Sequence, residues 1–227
     1  LARILNGEPV LHEGLVQTSL PRSAPPGQVR DGAREGPFFG DCSLVNWNTQ
    51  ALFAYLSCRQ HPKQLKVASL IRQHDFVVLQ ETHSEPGNLL TWSRPSATRY
   101  FASHGTAAVA GVGILVKESF LERFDELPSD AEHSPAHWQE VVPGRAAILH
   151  LRGPEGCLDI VVLYHHTGQA RRQRDQTRAA LARVLRPQAT TLTIVAGDFN
   201  YVCHGRDRFT KATASWTDNV NHTAEEA

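Results

Sequence analysis

Four consecutive apolar residues, Phe76-Val77-Val78-Leu79, stand between Asp75 and Gln80-Glu81 and constrain this chain more than any other feature. The run is too short for a helix and too continuous for a strand with one wet face. It reads as a strand covered on both faces, which belongs to a layered fold. Shorter or alternating apolar runs predict further strands at Cys42–Asn48, Arg99–Ala102, Val109–Val116, Trp138–Val142, Arg145–Leu151, Leu158–Tyr164 and Thr191–Ala196. Val67, Leu70, Ile71 and His74 recur at helical spacing, so a helix is expected over Pro62–His74. A second, Arg-rich helix is expected from Gln169 to Arg186, with Ala170, Leu181, Val184 and Leu185 inward. Many strands with two clear helices predict an α/β (α+β) domain built on sheets.

Composition narrows the class further. The 227 residues suffice for one domain of ordinary size, and 23 Lys+Arg against 23 Asp+Glu leave no global field to draw in nucleic acid or membrane. No apolar run approaches a bilayer span, so no membrane partner is expected. Cys42, Cys58, Cys157 and Cys203 lie far apart without a C-x-x-C pair, which argues against a disulfide scaffold or structural zinc and fits a reduced compartment. Residues 1–40 hold six of the 16 Gly and five of the 13 Pro. They are expected to form a linker or loosely packed lead-in, with a weak helix signal at Gly7–Leu15, and the domain proper is expected over 41–227.

Three polar clusters stand directly after apolar strands: Trp47-Asn48-Thr49, Gln80-Glu81-Thr82-His83 and Gly197-Asp198-Phe199-Asn200. Strand ends in layered sheets converge on one rim, a usual place for a site. A Glu and an Asp there offer the hard oxygen ligands that suit Mg²⁺, or Mn²⁺. An Asp could instead take a proton from water, while an Asn amide fixes water or a phosphate oxygen. Taken singly, each acidic strand end is more often merely solvated.

In this order, however, the three clusters resemble successive motifs of the endonuclease/exonuclease/phosphatase (DNase I-like) superfamily. Gly111-Val112-Gly113-Ile114-Leu115-Val116 and Gly144-Arg145-Ala146-Ala147-Ile148-Leu149 resemble its intervening strands. The resemblance covers roughly Asp41 to Tyr201. It implies a four-layered α/β sandwich of two packed mixed sheets flanked by helices. By the same resemblance Glu81 would be the main ligand of a catalytic Mg²⁺, with Asn48 beside it. Asp198 would orient or deprotonate the attacking water, and Asn200 would hold a phosphate oxygen. Tyr164 matches a Tyr or His that ends a strand in the family, and His166 is its rival; His165 reads equally well as a solvated strand end. His83 and Arg145 stay unassigned between substrate contact and plain surface. The Arg-rich helix reads more readily as a solvated face than as a phosphate-binding one. Trp92, Trp138 and Trp216 read as core or loop anchors.

The resemblance implies Mg²⁺-dependent phosphodiester hydrolysis. DNA cleavage of the non-LTR retrotransposon type is the leading expectation, from Gln80-Glu81-Thr82-His83, from Tyr164–Thr167 and from Asp207–Lys211 with Trp216-Thr217. DNA would be the substrate and reverse transcriptase a companion in a larger polyprotein; the setting would be intracellular, and nuclear if DNA is cleaved. An inositol-phosphate or lipid phosphoesterase, and a catalytically dead remnant, are the alternatives. The family pattern closes with Ser-Asp-His, and no such triplet follows Asn200. With no Met, a Leu1 start and a Glu225-Glu226-Ala227 stop, the domain is expected to be incomplete at its C-terminus and to leave sheet edges open.

Overall fold

In the computed structural model the described residues are 2–4, 18–19, 36–53, 62–89, 92–106, 109–124, 138–168, 170–200, 209–210 and 215–216. The chain runs β1 (Ala2–Ile4), β2 (Thr18–Ser19), β3 (Ser43–Asn48), α1 (Pro62–Gln73), β4 (Phe76–Gln80), α2 (Pro86–Leu89), β5 (Thr98–Ser103) and β6 (Val112–Lys117). It continues through α3 (Glu118–Leu121), β7 (Trp138–Val142), β8 (Ala146–Gly153), β9 (Gly156–Tyr164), α4 (Arg171–Val184), β10 (Leu192–Asp198), β11 (Phe209–Thr210) and β12 (Ser215–Trp216). One sheet has the order β2-β3-β4-β6-β5 and the other β1-β10-β9-β8-β7; β11 and β12 pair separately. Both large sheets are mixed, since β3 lies parallel to β4 and β10 parallel to β9 while the other pairings are antiparallel.

The alternation of side chains across each strand builds four layers. Leu44, Phe76, Val78, Val112 and Ile114 face Leu149, Ile160, Val162 and Ile194 in a core between the sheets. The opposite face of the first sheet, Val45, Val77, Leu79 and Leu115, packs on Val67, Leu70 and Ile71 of α1. The opposite face of the second, Ile148, Val161 and Leu163, packs on Leu181 of α4. Every residue of β4 and β9 is buried, the burial on both faces that the Phe76–Leu79 run predicts. Each large apolar side chain taken from water this way contributes about 1.5–3 kcal/mol. α1 begins on Pro62, whose fixed φ suits a first helical position. Asp75 then accepts the Ser43 N–H at 2.6 Å and its hydroxyl at 2.8 Å, tying the end of that connection to the start of β3.

One expectation is corrected here, that for Arg174 on α4, and several others find their place. Within residues 1–40, β1 and β2 pair with the edges of β10 and β3, and Phe38 is a core residue, so the described part of this segment is woven into the domain. The Gly7–Leu15 signal lies outside the described residues. Pairing with β1 covers Ile194–Ala196 on the outer edge of β10. On α4, Arg174 is buried and donates to the carbonyls of His166 (3.2 Å) and Gly168 (2.8 Å), so this arginine pins a loop instead of lying on a solvated face. Trp92 is buried against Phe53 and Tyr100, and Trp138 packs on Phe101; the side chain of Trp216 lies outside the described residues. Cys42 and Cys157 are buried thiols, and burial pushes Cys42 up to about 12, which leaves it inert. Cys58 and Cys203 lie outside the described residues. Among the described residues no helix is long and apolar enough to cross a membrane.

Candidate active site

Along the strands that meet between the sheets, the inward side chains turn polar at one end. On β3 they run Leu44, Asn46, Asn48; on β4 Phe76, Val78, Gln80; on β9 Val162, Tyr164; on β10 Ala196, Asp198. The apolar half glues the sheets, and the polar half forms a rim where the C-terminal ends of these four strands meet. Below the rim, the Gln80 amide donates to Asn46 Oδ1 at 2.7 Å and the Asn46 amide to the Gly197 carbonyl at 3.2 Å, joining the two sheets.

At the rim itself the predicted residues come together. The Asn48 amide donates to Glu81 Oε1 at 3.0 Å and to Asp198 Oδ2 at 2.8 Å. The Tyr164 hydroxyl donates to the same Glu81 oxygen at 2.7 Å. The Asn200 N–H caps Asp198 Oδ1 at 3.0 Å, while its side-chain amide donates to the His165 carbonyl at 2.6 Å. Thus Asn48, Glu81, Tyr164 and Asp198 form one connected cluster, and Asn200 orients it from behind. Tyr164 reaches the carboxylates where its rival His166 does not. β9 ends at Tyr164, and the His166 ring Nδ1 has no hydrogen-bond partner among the described residues. His165 is buried against Phe199 and holds the loop through its backbone.

The backbone around this cluster is strained. Among the described residues seven non-glycine residues have positive φ, and six of them stand on this rim: Gln50, Ala51, Glu81, His83, Ala110 and Asn200. Such conformations cost on the order of 1–3 kcal/mol each and persist where surroundings over-determine them. Here the surroundings are cross-loop hydrogen bonds: Thr49, Ala51 and Phe53 donate to Gln80, Glu81 and Thr82 carbonyls, and Thr82 and His83 to those of Gly111 and Ala110. Gly197 is needed for another reason: a Cβ there would lie 1.9 Å from the Leu163 carbonyl oxygen.

Burial first, then the neighbouring Glu81 carboxylate, push the Tyr164 phenol up to about 12 against the pull of Arg145, so it stays a proton donor. Burial, with Arg178 and Arg174 adding to it, depresses His165 to about 4, and burial with Arg145 and Arg174 lowers His166. Both imidazoles are therefore neutral near pH 7.

The donor set fits a hard dication. Two carboxylates are held side by side by one asparagine, and Glu81 Oε2 accepts no hydrogen bond among the described residues. Among those residues no three His, Cys, Asp or Glu side chains cluster as a metal cage. A pair of carboxylates plus water and phosphate is the coordination Mg²⁺ accepts.

Two further rim residues have no assigned role in the motifs. Arg145 lies with its guanidinium 4.4 Å above the Tyr164 ring, and His104 Nδ1 lies 3.1 Å from the hydroxyl of Ser84. Neither belongs to a strand-end motif, and the turns that place them become neighbours only in the folded sheets.

The chain matches the endonuclease/exonuclease/phosphatase family over residues 45–223. It is 29% identical over 154 residues to the Transposon TX1 uncharacterized 149 kDa protein of Xenopus laevis, a stretch that is 66% of this chain and 11% of that protein. Among solved structures, AP endonuclease LMAP from Leishmania major superposes with a TM-score of 0.54 at 17% identity, over 74% of this chain and 57% of that one. The endonuclease domain of TRAS1, a telomere-specific non-LTR retrotransposon, gives a TM-score of 0.43 at 14% identity, over 70% of this chain and 60% of that one. The chain thus spans about a tenth of the curated relative and little over half of the AP endonuclease.

Proposed function

Because this chain belongs to the endonuclease/exonuclease/phosphatase family, and so to enzymes that cleave phosphoester bonds, we propose that it hydrolyses DNA phosphodiesters as a Mg²⁺-dependent endonuclease of the retrotransposon type. The observation that carries this reading is the hydrogen-bonded cluster of Asn48, Glu81, Asp198 and Tyr164 at the shared ends of β3, β4, β9 and β10. The likeness to a 149 kDa transposon protein supports DNA as substrate and a place in a longer protein, for which reverse transcriptase would be the companion.

Each residue has a task in that reaction. Glu81 would hold Mg²⁺, with Asn48 beside it, and the bound ion would offset the charge that builds on the non-bridging and leaving oxygens. Asp198, oriented through both of its oxygens, accepts a proton from the attacking water. The Tyr164 phenol, protonated at working pH, gives its one hydrogen to Glu81 in the free site and would turn it to a phosphate oxygen when substrate binds, and the Asn200 amide has its second hydrogen left for phosphate, the first being held by the His165 carbonyl. Water adds across one P–O ester bond, leaving a phosphomonoester on one side and a free hydroxyl on the other.

The substrate is tested by offering the same preparation supercoiled plasmid and phosphoinositide vesicles in Mg²⁺, with EDTA controls. Nicked and linear DNA, with no phosphate released from lipid, is the expected result. Lipid turnover with intact plasmid would move the chain to the phosphoinositide branch of the family.

A further inference from the structure

We propose that Asn46 is a positioning residue of the hydrolytic centre: with Gln80 it ties together the strand ends beneath Glu81 and Asp198 and so fixes the gap between the two carboxylates. This rests on the nuclease reading and gives a task to a pair of buried amides that bond neither carboxylate themselves.

Two polar layers are stacked on the same strands. The upper one is the Asn48 amide between Glu81 and Asp198. Two residues back along β3, about 7 Å lower at ordinary strand rise, Asn46 repeats the pattern. Its Oδ1 accepts the Gln80 amide at 2.7 Å, and its Nδ2 donates to the Gly197 carbonyl at 3.2 Å. Gln80 directly precedes Glu81, and Gly197 directly precedes Asp198. One asparagine thus joins the two carboxylates and the other joins the residues just before them. β3 and β4 lie in one sheet and β10 in the other, so Asn46 spans the space between the sheets.

Each carboxylate leans on this lower layer. Strand alternation points Gln80 inward and would point Glu81 away from the cleft. At Glu81 φ is +50°, and this left-handed turn brings its carboxylate back to Asn48 and Tyr164. The Thr49 hydroxyl holds the backbone of the turn, 2.9 Å from the Gln80 carbonyl oxygen and 3.0 Å from that of Glu81. Asn46 holds the same turn through the Gln80 side chain. On the facing strand it bonds the carbonyl of the peptide that leads into Asp198.

The make-up of the layer argues for position over packing. Asn46 and Gln80 are buried, and Gln80 Oε1 has no hydrogen-bond partner among the described residues. The Gly197 carbonyl sets the direction of both amides. Asn46 turns its NH₂ toward that carbonyl, which leaves Oδ1 for Gln80 Nε2 and strands Gln80 Oε1. Apolar side chains would fill the same room without an orphaned acceptor, as Leu44 and Val78 do one pleat lower. A network that weakens the fold belongs where geometry matters more than stability.

The test compares the wild type with Asn46→Leu and with a double variant carrying Asn46→Leu and Gln80→Met; Asn46→Ser serves if neither folds. Mn²⁺ affinity is read without substrate, from the electron paramagnetic resonance signal of the free ion, beside thermal melting and plasmid-nicking kinetics. The double variant should melt close to the wild type, because both amides leave together and their shape is kept. Its Mn²⁺ affinity and its kcat should each fall about tenfold or more, with KM unchanged. A folded variant that keeps wild-type Mn²⁺ affinity and kcat, whatever its melting point, would overturn the inference. A wild type that binds Mn²⁺ but leaves plasmid intact removes the nuclease reading, and the Mn²⁺ titrations alone then decide whether Asn46 positions the carboxylates. A wild type that neither binds Mn²⁺ nor nicks removes both.

Discussion

A single side-chain amide, that of Asn48, separates the Glu81 and Asp198 carboxylates and satisfies one oxygen of each. Asn48→Ala would leave two partly buried like charges with no shared donor. It should cost on the order of 1–3 kcal/mol in a denaturant melt, besides its loss of activity. Tyr164→Phe is the cleaner probe of chemistry, because the ring and the Arg145 stack survive while the donated hydrogen is lost. A fall of about 10²-fold in kcat with an unchanged melting curve is expected; wild-type kcat would show that the phenol only supports structure. His165 gives the pH dependence. Its folded pKa, about 4, lies below the ordinary 6.5, so between these values the unfolded chain binds more protons. Stability is therefore complete above about pH 6.5 and is lost as pH falls toward 4, by on the order of 1–3 kcal/mol. Urea midpoints at pH 7.5 and 5 should show this fall, and His165→Gln should flatten it. At this scale the sequence is informative about Asn48, Tyr164 and Asp198, each the polar last inward residue of an apolar strand, and about Glu81, which directly follows one. It leaves Arg145 between substrate contact and plain surface, because its stack on Tyr164 forms only when β8 and β9 pair.

The elements act as rulers that bring these residues to one level. β9 and β10 run parallel in register from Leu158–Leu192 to Tyr164–Asp198, so the phenol and the carboxylate arrive side by side. Gly197 allows that approach, and Gly197→Ala should cost about 3 kcal/mol or more by forcing the strands apart, read as a lowered thermal midpoint; a midpoint unchanged from wild type would mean that the two strands tolerate a methyl group between them. α4 contributes through Arg174, which holds the carbonyls of His166 and Gly168 just past Tyr164. Strand and helix positions are legible in the sequence to within a few residues, because burial on both faces and helical spacing leave unmistakable apolar patterns. The N-terminal edge strands are not. β1 and β2 are three and two residues long, within Gly- and Pro-rich sequence, and owe their existence to the edges they complete.

As a whole the molecule is a sandwich whose apolar middle fixes the distance between two sheets and whose polar end works at that distance. Zero formal net charge gives it no long-range pull on DNA, so binding must come from local donors along the rim. Affinity for duplex should accordingly fall only modestly with salt, with a slope set by a few phosphate contacts; a steep slope would point to a wider basic surface. The central claim is that the Glu81–Asn48–Asp198 cluster is the hydrolytic centre. Nicking of supercoiled plasmid in Mg²⁺ by the wild type, Glu81→Gln and Asp198→Asn, at matched concentration and with matching circular dichroism, tests it most directly. Loss of at least about 10²-fold in rate in both variants is the expected result. A folded variant of either kind that nicks at the wild-type rate would contradict it.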